Sequence, residues 1–148
     1  MSNAGSRTAG LAWLAEAQPG DTAVAASVRA DSLIPTFVFA RGASLGTAAP
    51  SYLAAVVTRG LRVELWEVTG GAVRVLGAAA TPSSAYFSGE WVRVTLAPAG
   101  GGVAVRVQRA DTGQYLAADG TWATGPTAAV TAATALLASD GLVGVGRV

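Results

Sequence analysis

Along "TAVAASVRA", Thr22, Val24, Ala26 and Val28 fall on one side of a period of two and Ala23, Ala25, Ser27 and Arg29 on the other, the alternation of a half-buried β-strand. The same period returns in "SYLAAVVT", "LRVELWEV", "AVRVLGAA", "EWVRVTLA" and "GVAVRVQRA", and "FVFARG" and the final "LVGVGRV" read as further strands. Between them, "TGG" (69–71), "PAGGG" (98–102) and "ADTGQ" (110–114) are hairpin-like connections rich in Gly and Asp. Two Ala-rich stretches have helix propensity. One is "AGLAWLAEAQ"; in the other, "TAAVTAATALLASDG", Thr127, Thr131, Thr134 and the closing "SDG" turn favour a strand followed by a loop.

Regularly spaced strands without long linkers, charge runs or internal repeats predict an all-β protein, a two-sheet antiparallel jelly-roll sandwich. At 148 residues the chain suits one domain, and a chain of that size buries roughly 70% of its unfolded surface. An immunoglobulin sandwich needs only about 100 residues and, in antibody domains, a Cys pair.

Composition removes many chemistries. The chain has no Cys and no His, which excludes disulfides, thiolate nucleophiles, Ser-His-Asp triads and histidine metal sites built from this chain alone. Ten basic and nine acidic residues give a net charge of +1, and every basic residue is Arg. The arginines are scattered singly, so no stripe tracks a phosphate backbone and nucleic acid is not an expected partner. No apolar run approaches the roughly 18 residues of a bilayer span, so membrane insertion is not expected. The opening "MSNAGSRTAG" lacks the charged and apolar regions of a signal peptide. Its "SNA" resembles the scar of an expression tag, which implies a piece cut from a longer protein. Residues 1–10 are therefore expected to be a disordered or tag-derived start, followed by one domain over 11–148.

The succession "AVAASVRADS", "SYLAAVVTRGLRVELWEVTGGAVRVLG", "FSGEWVRVTLAPAGGGVAVRVQRADTGQYL" and "GLVGVG" resembles the concanavalin A-like lectin/glucanase superfamily, close to laminin G-like modules. It is similar in particular to repeated modules of large bacterial surface proteins. The resemblance spans about 21–148 and implies an extracellular or cell-surface setting with neighbouring domains. In that superfamily a first strand pairs beside the last; whether it is complete here is left open.

The superfamily includes laminarinase-like glycosidases with an E-x-D-x-x-E strand motif. This chain has "ELWE", Glu64 to Glu67, with no Asp between. Residues three apart on a regular strand face opposite sides of the sheet. The two carboxylates therefore should not reach the 5–10 Å separation that glycoside hydrolysis requires, roughly, on one face. No catalytic residue is assigned.

With Val63 and Leu65 inward, Arg62, Glu64 and Trp66 share the other face, an aromatic plate beside a donor fork and an acceptor, which suits a sugar ring. Arg93 and Arg106 would extend this surface if their strands join the same sheet. Alternatively Trp66 caps the sheet, and Arg and Glu form exposed pairs of little energy. Trp13, Trp91 and Trp122 read as packing residues. The resemblance also suggests calcium, with Asp21, Asp31, Asp111, Asp119 and Asp140 near turns. None forms a D-x-D-x-D loop, and a turn Asp ordinarily bonds its own backbone; no cofactor is assigned. The reading is a non-catalytic module of a larger secreted or cell-surface protein that binds a polysaccharide or glycan. A structural or adhesive spacer is the alternative, and a glycoside hydrolase comes third.

Overall fold

The computed structural model describes residues 10–29, 34–82, 87, 89–136 and 139–147. Of the expected start at 1–10, residues 1–9 lie outside them, as does Asp31, and Gly10 belongs to a strand. Every regular element among the described residues is a strand, and the strands form two antiparallel sheets. The first sheet contains β1 (Gly10–Trp13), β3 (Thr36–Ala43), β4 (Ser51–Thr58), β5 (Arg62–Thr69), β6 (Ala72–Ala80) and β12 (Leu142–Arg147), in the order β1-β12-β3-β4-β5-β6. The second contains β2 (Val24–Arg29), β7 (Trp91–Ala99), β8 (Gly102–Arg109), β9 (Tyr115–Leu116), β10 (Trp122–Ala123) and β11 (Val130–Ala133). Its order is β10-β9-β8-β7-β2, with β11 paired to the first half of β8.

Strand alternation builds the interior. Leu53, Ala55 and Val57 on β4 and Val63 and Leu65 on β5 face Val92, Val94 and Leu96 on β7 and Val103, Val105 and Val107 on β8, all buried in one cluster. Each fully buried Leu or Val contributes about 1.5–3 kcal/mol by leaving water. The "AGLAWLAEAQ" stretch forms no helix. Its Gly10–Trp13 part pairs antiparallel with β12, because tertiary strand pairing overrides a weak local propensity. The second Ala-rich stretch follows the other expectation, strand β11 and then a loop.

The first sheet also buries part of its outer face. Phe37, Phe39, Tyr52, Ala54, Val56 and Val68 form a second cluster there, with Leu11, Leu45 and Trp66 against it. The Phe37 and Tyr52 rings stack with centroids 5.8 Å apart. Gly146, opposite Phe37 in the ladder, makes the room for this, since a Cβ on it would lie 2.2 Å from the Phe37 ring.

β3 is irregular at Arg41. The residue has φ of 54°, a left-handed conformation that is costly for a side chain with a Cβ. The pairing with both β12 and β4 shifts around it. Gly141 lies so close that a Cβ there would be 2.7 Å from the Arg41 Cα. The bend carries the Arg41 side chain inward.

Candidate functional site

β5 presents Arg62, Glu64 and Trp66 on the outer face of the first sheet, because Val63 and Leu65 occupy the interior. Trp66 lies opposite the small Ala54, which leaves space for the indole to rest against the outer aromatic cluster. The three side chains form one chain of bonds. Arg62 Nε donates to Glu64 Oε1 at 2.8 Å, and Trp66 Nε1 donates to Glu64 Oε2 at 2.7 Å. Burial pushes the Glu64 pKa up, but the Trp66 and Arg62 hydrogen bonds and the Arg62 charge outweigh it and hold the carboxyl below its ordinary value. Glu64 is therefore an ionised acceptor at neutral pH, held in one orientation. Each oxygen thus accepts one bond within the chain, out of the about four acceptor positions a carboxylate offers.

Glu67 faces the other way, as strand geometry requires, and is buried at the edge of the interior. Its Oε2 accepts from Thr134 Oγ1 at 2.6 Å and from the Ala135 N–H at 2.9 Å, and Arg74 donates to its Oε1 at 2.7 Å. Burial raises its pKa, the bonds from Thr134 and Ala135 and the Arg74 charge lower it, and the lowering prevails. Glu64 and Glu67 thus do not converge on one bond as a glycosidase pair must. Glu67 is a structural anchor rather than a simple strand-end residue.

Arg41 grips the same segment from β3. Buried to 6% residual exposure, it donates to the carbonyls of Gly20 at 2.8 Å, Leu136 at 3.2 Å and Gly100 at 2.8 Å, and to Asp21 at 3.3 Å. Glu67 and Arg41 together fasten residues 134–136 to the first sheet. Neither role was assigned from sequence. A lone Arg inside the apolar run "FVFARG" was the available signal for Arg41, and the inward register shared with Val63 and Leu65 was the signal for Glu67.

Arg93 and Arg106 do not extend the Trp66 surface. They lie on β7 and β8, in the other sheet. There they alternate with the buried Val92, Val94, Val105 and Val107, so they point away from the interior and away from the first sheet. Sequence alternation gives a residue's face but not its sheet. Among the other aromatic residues, Trp122 packs on the core with its ring 5.5 Å from Phe87. Arg109 lies over both of those rings. Trp13 and Trp91, read as packing residues, are instead 42% and 51% exposed.

No family model matches the chain, and no curated protein matches it. One solved structure resembles it: "carbohydrate binding module CBM66 from Bacillus subtilis". The match has a TM-score of 0.55 and 10% identity, and it covers 95% of this chain and 69% of that one. At that identity the likeness shows the fold, a two-sheet β-sandwich.

Asp119 and Asp111 bond locally. Asp119 accepts from the Thr121 N–H and hydroxyl, at 3.0 and 2.7 Å, and Asp111 pairs with Arg109 and caps the Thr112 N–H. Asp21 departs from the expected local bonding: it accepts from the distant Gly100 N–H and from Arg41. Among the described residues no three acidic side chains gather as a metal site would require.

Proposed function

We propose that the chain is a non-catalytic carbohydrate-binding module of a larger secreted or cell-surface protein, with Arg62, Glu64 and Trp66 as its binding residues. The observation that carries this reading is the bonded row on the outer face of β5: an ionised acceptor held between a guanidinium and an indole N–H. Sugar recognition uses this pairing, because ring C–H groups pack on an indole while hydroxyls need fixed acceptors and donors beside it. Pre-ordering reduces the entropy lost on binding. The fold likeness to a structure titled a carbohydrate-binding module supports the reading.

Calorimetric titration against a panel of neutral polysaccharides tests it. Trp66→Ala should weaken binding about tenfold or more, and Glu64→Gln, which keeps the shape but loses the charge, about fivefold. Glu64→Gln keeps the test valid if Trp66→Ala disturbs the aromatic cluster. Equal binding by wild type and both variants would remove this site. A second reading, a spacer between domains, is favoured by the fact that each Glu64 oxygen already has a partner within the chain. It predicts no binding by any of the three proteins.

A further inference from the structure

The outer face of the second sheet differs in chemistry from that of the first. None of its six strands contains an acidic residue. β7 places Trp91, Arg93 and Thr95 outward, alternating with the buried Val92, Val94 and Leu96. β8 places Arg106 and Gln108 outward, alternating with the buried Val105 and Val107. In the ladder Arg93 lies opposite Gln108, Thr95 opposite Arg106, and Tyr115 on β9 opposite Gln108. Arg93 and Arg106 are therefore diagonal neighbours, about 7–8 Å apart at their backbones. Trp91 precedes Arg93 by two residues along the strand, on the same face at roughly 7 Å. Among the described residues neither Arg93 nor Arg106 has a carboxylate partner. Both apolar clusters lie elsewhere, one between the sheets and one on the outside of the first sheet.

We propose that this face is a second binding surface, for an acidic polysaccharide whose sugars carry carboxylates. Guanidinium forks match carboxylates in shape and charge. The exposed Trp91 offers a plate for a ring, and Thr95 and Gln108 offer partners for hydroxyls. A nucleic acid fits less well, since three arginines on this face, Arg93, Arg106 and the Arg29 opposite Trp91, and a net charge of +1 are little to hold a phosphate backbone. The surface extends the glycan-binding reading to different residues on the opposite side of the sandwich, so the two stand or fall separately.

Affinity electrophoresis through gels of polygalacturonate, alginate or hyaluronan, with calorimetry on whichever retards the protein, tests the surface. Methyl-esterified polygalacturonate serves as the uncharged counterpart of the first, and a single-stranded oligothymidylate as the phosphate control. At least one acidic polymer should retard the wild type, and raised salt should weaken that binding. The paired substitution Arg93→Gln with Arg106→Gln should reduce affinity about tenfold or more and Trp91→Ala about fivefold. Thermal midpoints of these variants should stay close to the wild-type value, because all three side chains point away from the buried core. Trp66→Ala should leave acidic binding unchanged and lower neutral-glycan binding, which separates failure of one surface from failure of the other. The proposal is overturned by no retardation in any of the three acidic gels, by equal affinity of the double-glutamine variant, by equal retention on the esterified polymer, or by oligothymidylate binding at least as tight.

Discussion

Arg62 with Glu64 and Arg41 with Glu67 use the same two residue types on the same sheet, yet the first pair lies on the surface and the second is set within the sandwich. Burial makes the difference. The Arg62 side chain is 52% exposed and that of Glu64 20%, whereas those of Arg41 and Glu67 are 2% and 6% exposed. Water can replace a lost partner at the first location but is largely excluded from the second. The inner charges do not bond each other. Each solvates loop groups that strand pairing leaves unsatisfied, the Thr134 hydroxyl and Ala135 N–H by Glu67 and three carbonyls by Arg41. Charge inside this sandwich ties loops to the first sheet, and charge outside it remains in contact with water.

The sharpest way to break this comparison is Arg41→Ala. Three carbonyls would lose their donor, at about 1 kcal/mol or more each, so unfolding free energy should fall by about 3 kcal/mol or more. For a domain of this size the thermal midpoint should drop by on the order of 10 °C. Arg41→Lys should recover only part of that, since an ammonium cannot present the planar fork that reaches three separate acceptors. Urea and thermal unfolding of the three proteins decide it; a midpoint within about 2 °C of wild type for Arg41→Ala would mean that Arg41 does not hold these loops together.

Glu67→Gln probes the other half of the clamp and should cost about 1–3 kcal/mol at neutral pH, because an amide group replaces one acceptor oxygen beside Arg74. The pH dependence gives the sign. The folded carboxyl is held below its ordinary 4.5, so its stabilisation is present above about pH 4.5 and is lost as pH falls through the lowered folded value. Wild type should therefore lose its advantage over Glu67→Gln below about pH 4.5, and unfolding curves from pH 7 down to 3 should converge. A gap that stays constant across that range would exclude a role for the ionised form.

These residues also mark what was legible from the chain. Period-two alternation located most strands and assigned the outward face of β5, because one buried side per strand leaves a direct record in the order of apolar and polar residues. The inward direction of Glu67 followed from the same rule. Sheet membership left no such record. Arg93 and Arg106 alternate as Arg62 and Glu64 do, and only long-range pairing sends them to the opposite sheet. Arg41 was hidden for another reason: a positive φ and a register shift break the local period at the residue that matters. β1 was obscured by Ala and Leu, whose helix propensity is outweighed by pairing with β12.

The smallest expected effect completes the comparison. Arg62→Ala removes an ion pair whose arginine is more than half exposed, so stability should change by no more than about 0.5 kcal/mol and the difference should shrink further in high salt. Glu64 would keep the Trp66 N–H as a donor and remain solvated, so no buried group is orphaned. Ligand binding should respond where stability does not: the same substitution frees Glu64 to turn away from its fixed position, and affinity for a neutral glycan should fall about threefold to tenfold if pre-ordering matters. Unfolding curves and titrations on one preparation separate these outcomes. A stability loss near that of Arg41→Ala would erase the distinction between the two pairs, whereas unchanged stability with weakened binding would locate the function of the outer pair in recognition.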